Sequence, residues 1–329
     1  MAYPWKDMNL IPMADLEAWH MYEPGVSGHN VIYDYSGKGR NITCGAGNAP
    51  VLTSDVLNGQ PGWYFNGSRD PLAWSGSVTL KHVFLVISFT DATFSAHHGV
   101  LSGLTSGDIL VSSNTGTLFF DLSATSCRTR DVLYASNAHV APISENAALV
   151  EVVFAAGVAM DGLQFGKQRD ISGPARLHKG YFFDSMCYSA VKNDQERLRI
   201  YRYAAMRYWL WQRTAAGLDV YPFPSNKARS SARDQEHYSS EPYSGDPTTL
   251  VRGSMRRAFS LPFTNRLQPE FEAAEQFHST HRHHVDFAYR DYRFYPSRDS
   301  SVWMNSDLRE QGSDVLFRFN YSFDVTEIS

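Results

Sequence analysis

From Leu16 to Tyr188 the chain is a succession of short apolar runs separated by turn residues, and this spacing limits its fold more than any other feature. Val83-Phe84-Leu85-Val86-Ile87 is wholly apolar, as a central strand covered on both faces requires. Around it, Asn30–Asp34, Gly62–Asn66, Gly99–Leu104, Asp108–Ser113, Thr117–Leu122, Asp131–Ala135, Ala147–Ala156, Leu163–Lys167 and Gly180–Tyr188 read as further strands. Gly, Ser, Asn and Asp fill the intervals, supplying positive φ or local side-chain hydrogen bonds. Many short strands at this spacing predict a mainly β fold, a sandwich or jelly roll.

The pattern then changes. Asn193 can cap a helix, and Glu196 three residues on completes a capping box. The helix is expected to reach about Gln212, with Ile200, Tyr203, Ala204, Tyr208 and Trp211 as its apolar stripe. Arg197, Arg199, Arg202 and Arg207 fall largely off that stripe, and Gly217 and Pro222 stop the helix. Residues 222–252 are rich in Ser, Pro, Asp and Arg and read as a linker or an extended segment. Beyond them Pro269 opens a short helix on which Phe271, Ala274 and His278 share a face, beside Phe277. Val285, Phe287 and Tyr289 alternate with polar residues, and Phe317, Phe319, Tyr321, Phe323 and Val325 alternate with Arg318, Asn320, Ser322 and Asp324 as one long strand. The predicted division is an N-terminal arm over 1–13, a sandwich domain over 14–215, a linker over 216–252 and a small α+β domain over 253–329. A chain of 329 residues is long enough for two domains.

Aromatic residues make up 14%, which suits sheet faces and interfaces. The formal net charge of −4 provides no basic field for nucleic acid. No apolar run of ~18 residues exists, so no membrane insertion is expected. The opening Met1-Ala2-Tyr3-Pro4-Trp5 does not read as a secretion signal. Cys44, Cys127 and Cys187 are scattered, which suits buried free thiols in a protein made in a reducing cytoplasm.

Three stretches carry a family resemblance. Leu16-Glu17-Ala18-Trp19, followed by Tyr33-Asp34-Tyr35-Ser36-Gly37-Lys38-Gly39-Arg40-Asn41, resembles the opening strand and D-x-S-G-x-G-x-N turn of concanavalin A-like (LamG-like) lectin/glucanase domains. Tyr64-Phe65-Asn66-Gly67-Ser68 resembles their F-(D/N)-G-(S/T) strand end, and Asn193 to Trp209 their closing helix. Tyr35 and Ala204 depart from the pattern. The resemblance spans residues 14–215 and implies a concanavalin A-like jelly roll with a closing helix. Domains of this kind are frequent in tailed-bacteriophage virion proteins, and the C-terminal unit is similar in pattern to a tail-tube-like sandwich.

Glucanases of this fold carry E-x-D-x-x-E or E-x-D-x-E on one strand face, because two carboxyl groups must meet across the glycosidic bond. The chain has neither pattern; Glu151 is followed by Val152 and Val153, and Asp121 and Asp131 stand alone. There is no G-x-S-x-G, phosphate loop or HExxH. The expectation is therefore of a chain that is not an enzyme and takes no cofactor. His278, His281, His283 and His284, and separately His97 and His98, could suggest a metal, but the first group straddles a helix end, where His meets the last carbonyls. Ser68-Arg69-Asp70 and Asp161 supply oxygens without a carboxylate-rich loop, so no metal site is expected. Sugar binding needs an aromatic platform with polar groups beside it. Trp63, Tyr64, Asn66, Arg69 and Trp74 form such a set near a strand end, although alternation must send some of them to the core.

The expected function is a structural component of a phage virion, in the tail or baseplate, with a lectin-like domain for host-surface carbohydrate or decoration. Its partners would be other virion proteins and copies of itself in a ring, trimer or hexamer, held by Tyr3 and Trp5 of the arm, the linker and the long C-terminal strand. The alternatives are a capsid decoration protein and a polysaccharide-degrading enzyme.

Overall fold

The computed structural model describes residues 9–23, 31–44, 47–90, 98–104, 108–112, 117–120, 124–135, 141–142, 147–167, 177–214, 216–223, 230–234, 237–240, 248–251, 256–281, 287–290, 299–304, 309–313 and 318–327. The chain is mainly β and divides into two compact units, Met1–Leu210 and Trp211–Ser329. Tyr3, Trp5, His97, Asp121, His283, His284, Val285 and Phe317 lie outside the described residues.

The first unit holds strands β1 (Leu16–His20), β2 (Val31–Ile32), β3 (Ile42–Thr43), β4 (Val51–Leu57), β5 (Gln60–Asn66), β6 (Leu72–Phe89), β7 (His98–Ser102), β8 (Asp108–Ser112) and β9 (Thr117–Phe120). Strands β10 (Ser126–Thr129), β11 (Val132–Ala135), β12 (Ala141–Pro142), β13 (Ala148–Phe165) and β14 (Lys179–Tyr188) follow, then helix α1 (Asp194–Tyr208). They form a large antiparallel sheet whose main path is β12-β9-β8-β7-β13-β6-β14-β5-β4, with β1 added to β14, β3 to β6 and β10 to β13. The apolar run at Val83–Ile87 lies in β6, between β13 and β14, and is buried throughout. This arrangement is consistent with a β-sandwich. Strands β6 and β13 pair along their whole length, but their register shifts between Val153 and Val158, so each strand serves two parts of the sheet.

Alternation sorts the side chains. Val83, Leu85, Ile87, Val150, Val152, Phe182 and Cys187 enter the hydrophobic core with Trp63, Phe65 and Leu72. His82, Phe84, Glu151, Met186 and Tyr188 take the opposite face, where α1 lies. Asn193 caps α1 as predicted: its side chain accepts from the Glu196 N–H at 3.0 Å, and the Glu196 carboxylate accepts from the Asn193 N–H at 3.0 Å. The helix stops at Tyr208, short of Gln212, because Trp209 turns left-handed (φ 55°) and Leu210 closes back on Ala204. Arg197 and Arg207 are buried, against the expectation that they sit off the apolar stripe. Ile11 and Pro12, expected in an extended arm, are buried within this unit. Cys127 and Cys187 are buried free thiols, and burial pushes both up to about 12; Cys44 is half-buried.

The D-x-S-G-x-G-x-N turn is organised by Asp34. Its carboxylate accepts from the backbone N–H groups of Trp19, Ser36 and Arg40 and from the Ser36 hydroxyl, at 2.8–2.9 Å. Asn41 Oδ1 accepts from the Asp34 N–H at 3.0 Å. Gly37 (φ 82°) and Gly39 (φ 71°) supply the left-handed backbone the turn needs.

The second unit holds β15 (Gln212–Arg213), β16 (Asp219–Tyr221), β17 (Ser230–Asp234), β18 (His237–Ser240), β19 (Thr248–Val251), β20 (Arg256–Leu267), helix α2 (Gln268–Thr280), β21 (Phe287–Arg290), β22 (Asp299–Met304), β23 (Arg309–Ser313) and β24 (Arg318–Glu327). The sheet order is β15-β16-β21-β22-β24-β20-β17; β23 also joins β24, β16 and β21 run parallel, and among the described residues β18 pairs only with β19. The span expected as a linker therefore contains four strands, β16 to β19. The long C-terminal strand was expected to offer an edge to a neighbouring subunit. Both of its edges are taken, by β20 on one side and by β22 and β23 on the other. Phe277 of α2 packs edge-on against Trp211 and Tyr221, at 5.3 and 5.2 Å between ring centres.

Candidate functional site

The face of the first sheet that carries α1 is covered at one end and open at the other. At the covered end, Glu151 of β13 is fully buried beneath the helix. It accepts from Arg197 Nε at 2.8 Å and Nη2 at 2.9 Å, from Arg128 at 3.1 Å, from Tyr201 OH at 3.0 Å and from His82 Nε2 at 3.0 Å. The Lys192 N–H donates to His82 Nδ1 at 3.0 Å, which leaves Nε2 as the ring's donor to Glu151. Burial alone would push the Glu151 carboxyl up; the His82 hydrogen bond and the Arg197 guanidinium outweigh it and hold the group far below the carboxylate range. This cluster joins helix to sheet, and its central carboxylate is fully buried.

The open end is different. A bulge at Phe183 shifts the register of β14, and beyond it Tyr181 pairs directly with Tyr64 of β5 on one side and Ser88 of β6 on the other. An aromatic row results. Tyr208 of α1 meets Phe183 at 5.8 Å, Phe183 stacks on Tyr181 at 6.0 Å, and Tyr181 meets Tyr64 at 5.0 Å. The row runs from the buried Tyr208 and Phe183 to the half-buried Tyr181 and Tyr64. Gly62 makes room for it, since a Cβ there would lie 2.8 Å from Phe183 Cε1 and 3.2 Å from Tyr181 Cδ1. Beside the row lies a cleft of about 340 Å³ lined by Val56, Leu57, Ser88, Phe89, Thr90, Ala147, Tyr181 and Phe183. Apolar and aromatic walls with the hydroxyls of Ser88, Thr90 and Tyr181 suit a ligand that is itself a ring with one C–H face and a hydroxylated rim.

Of the predicted sugar-binding residues, the structure brings Tyr64 and Asn66 to this shelf. Trp63 is in the core, against Tyr22 and Phe182, because alternation along β5 sends it to the face opposite Tyr64. Trp74 is likewise buried, with the Arg40 guanidinium 5.1 Å above its ring. Neither can act as an exposed platform. Asn66 is exposed, and its Oδ1 accepts from the Ser68 N–H at 3.0 Å and hydroxyl at 2.8 Å. Arg69 lies in the turn before β6. Tyr181, Ser88 and Phe183 were not singled out from the sequence.

Among the described residues no three His, Cys, Asp or Glu side chains converge as a metal site. In the second unit His281 stacks on Phe277 at 4.0 Å; its N–H and its Nδ1 both bond the Phe277 carbonyl, at 3.1 and 2.8 Å. His278 is buried on the same helix. No helix among the described residues is long and apolar enough to cross a membrane.

No protein-family model matches the chain, and no curated protein does. Solved structures similar to it include Trypanosoma rangeli sialidase in complex with sialic acid (TM-score 0.38, 11% identity) and the same enzyme in complex with 2,3-difluoro-KDN (TM-score 0.38, 12% identity). Each alignment covers 56% of this chain and 32% of the sialidase chain. At this TM-score the likeness assigns no activity. The expectation that the chain is not an enzyme nevertheless does not stand, because it rested on a missing carboxylate pattern that not every glycoside hydrolase needs. Sialidases are glycoside hydrolases with a tyrosine nucleophile in place of the usual carboxylate. The missing E-x-D-x-x-E thus excludes one arrangement of groups, not glycan chemistry.

Proposed function

We propose that the first unit is a concanavalin A-like jelly roll that binds surface carbohydrate on the Tyr64–Tyr181 shelf. The chain as a whole is a building block of a tailed-phage virion, in the tail or baseplate, and assembles with copies of itself and other virion proteins. The second unit, read as tail-tube-like, is the assembly part. The observation that carries the glycan reading is the half-exposed cross-strand tyrosine pair beside the cleft. What supports the virion reading is the order of the Asp34 turn and the capped closing helix along the chain, the turn held by the Asp34 carboxylate and the helix by the Asn193–Glu196 cap.

Titration of purified chain with oligosaccharides of bacterial surface polysaccharide tests the first part. Tyr181→Ala and Tyr64→Ala should each weaken binding about tenfold, ~1.4 kcal/mol, with little loss of stability because both rings are partly solvated. Unchanged affinity in both variants would sink the shelf as the binding site. Electron microscopy tests the second part: rings or tube segments are expected, and isolated monomers, or knobs scattered over a capsid shell, would overturn the tail assignment.

A further inference from the structure

We propose that the shelf selects acidic glycans, with Lys179 meeting the sugar carboxylate while Tyr64 and Tyr181 stack on the rings; this rests on the glycan-binding reading of the same site. Beyond Phe65–Gly180, the next cross-strand pair on the same face of β5 and β14 is Asn66 with Lys179. Two residues of strand separate Lys179 from Tyr181, about 7 Å, and alternation returns both to the same face. The lysine stem is seated. A Cβ on Gly67 would lie 2.8 Å from Lys179 Cε and 2.9 Å from its Cγ, so the glycine at φ 83° leaves the trough in which that stem lies. Among the described residues lining the cleft and the two pairs beside it, Lys179 is the only charged one. Its ammonium makes no ion pair with another described residue, whereas Lys192 bonds Asp15, Glu196 and the Ala14 carbonyl. A cation next to an aromatic platform, with no carboxylate paired to it among the described residues, discriminates by charge: a uronic-acid carboxylate gains a charge-assisted hydrogen bond that a neutral sugar cannot make.

The test uses the full chain against matched probes, oligogalacturonate, oligomannuronate and hyaluronan fragments, each as the free acid and as its methyl ester. Free acids should bind about fivefold more tightly than their esters at low salt, the scale of one exposed ion pair, and the gap should close in ~0.5 M salt. Lys179→Met keeps the stem over Gly67 and removes the charge, so it should bind acid and ester alike. Equal affinity of the native chain for acids and esters, or an undiminished preference in K179M, would overturn the proposal and leave the shelf standing. If no acidic or neutral glycan binds, or if Tyr181→Ala changes nothing, the glycan-binding reading itself fails, and this inference with it.

Discussion

Two buried carboxylates sit under α1, and they are held in opposite ways. Glu151, near the helix start, receives both arms of the Arg197 guanidinium along with His82, Arg128 and Tyr201. Asp184, near the helix end, receives two phenols on one oxygen, Tyr203 at 2.6 Å and Tyr208 at 2.8 Å. Its other oxygen is buried without a hydrogen-bond partner among the described residues. Arg207 is close, but it donates to Tyr203 OH at 2.8 Å and the Tyr22 carbonyl at 2.7 Å, not to the carboxylate. Burial therefore dominates at Asp184 and pushes it up to about 6, while at Glu151 the direct partners win and the group stays ionised. Equal burial does not set the charge state; direct guanidinium contact does.

The largest break in this comparison is Glu151→Gln. It takes from the buried Arg197 its fully buried carboxylate and leaves Asp131 at 2.7 Å and the exposed Asp194 at 3.0 Å beside it. Losing one member of a buried pair costs ~3–5 kcal/mol. Denaturant unfolding should register a loss on that scale, and a loss below ~1 kcal/mol would mean that Asp131 alone can hold the arginine.

Asp184 gives the next largest effect, and the sign differs. Its folded pKa, about 6, lies above the ordinary aspartate value of 3.8, so the folded state binds the extra proton between those values. Asp184 therefore makes the protein less stable as pH rises from about 4 to above 6, by about 3 kcal/mol. Glu151 acts oppositely: its folded pKa is lowered, so its contribution is present above its ordinary value of 4.5 and is lost as pH falls below it. Melting temperatures of the native chain and Asp184→Asn across pH 4–7.5 separate the two. The variant should gain on the native chain as pH rises, and parallel curves would show that Asp184 is ionised throughout.

What was legible in the sequence follows the same division. The Asn193–Glu196 capping box and the Asp34–Asn41 turn close within a few residues, so sequence spacing alone specifies them. Alternation in β5 required one of Trp63 and Tyr64 to be buried but could not say which, because that depends on β14 lying alongside. The Tyr64–Tyr181 pair was hidden for the same reason. Arg197 and Arg207 fell off the predicted apolar stripe yet are buried, because their partners lie on distant strands or come from the chain before β2. The long alternating stretch at the C-terminus predicted a strand correctly, yet alternation describes faces and is silent about edges, so its two flanking partners were unforeseen.

The smallest effect probes whether the helix start depends on its cap or on the charge cluster behind it. Asn193→Ala removes the hydrogen bond to the Glu196 N–H, worth ~1 kcal/mol for caps of this type. Arg197 lies one turn on, and its hold on Glu151 pins the same end of the helix. If the two restraints act together, the cap should matter less once Glu151 is already Gln, because the first turn is then free to fray. The double variant should lose less than the sum of the two single losses, by ~0.5 kcal/mol or more. Strict additivity would mean that the cap sets the first turn whether or not Glu151 holds Arg197, and that the cluster contributes to the strand–helix contact but not to the helix end.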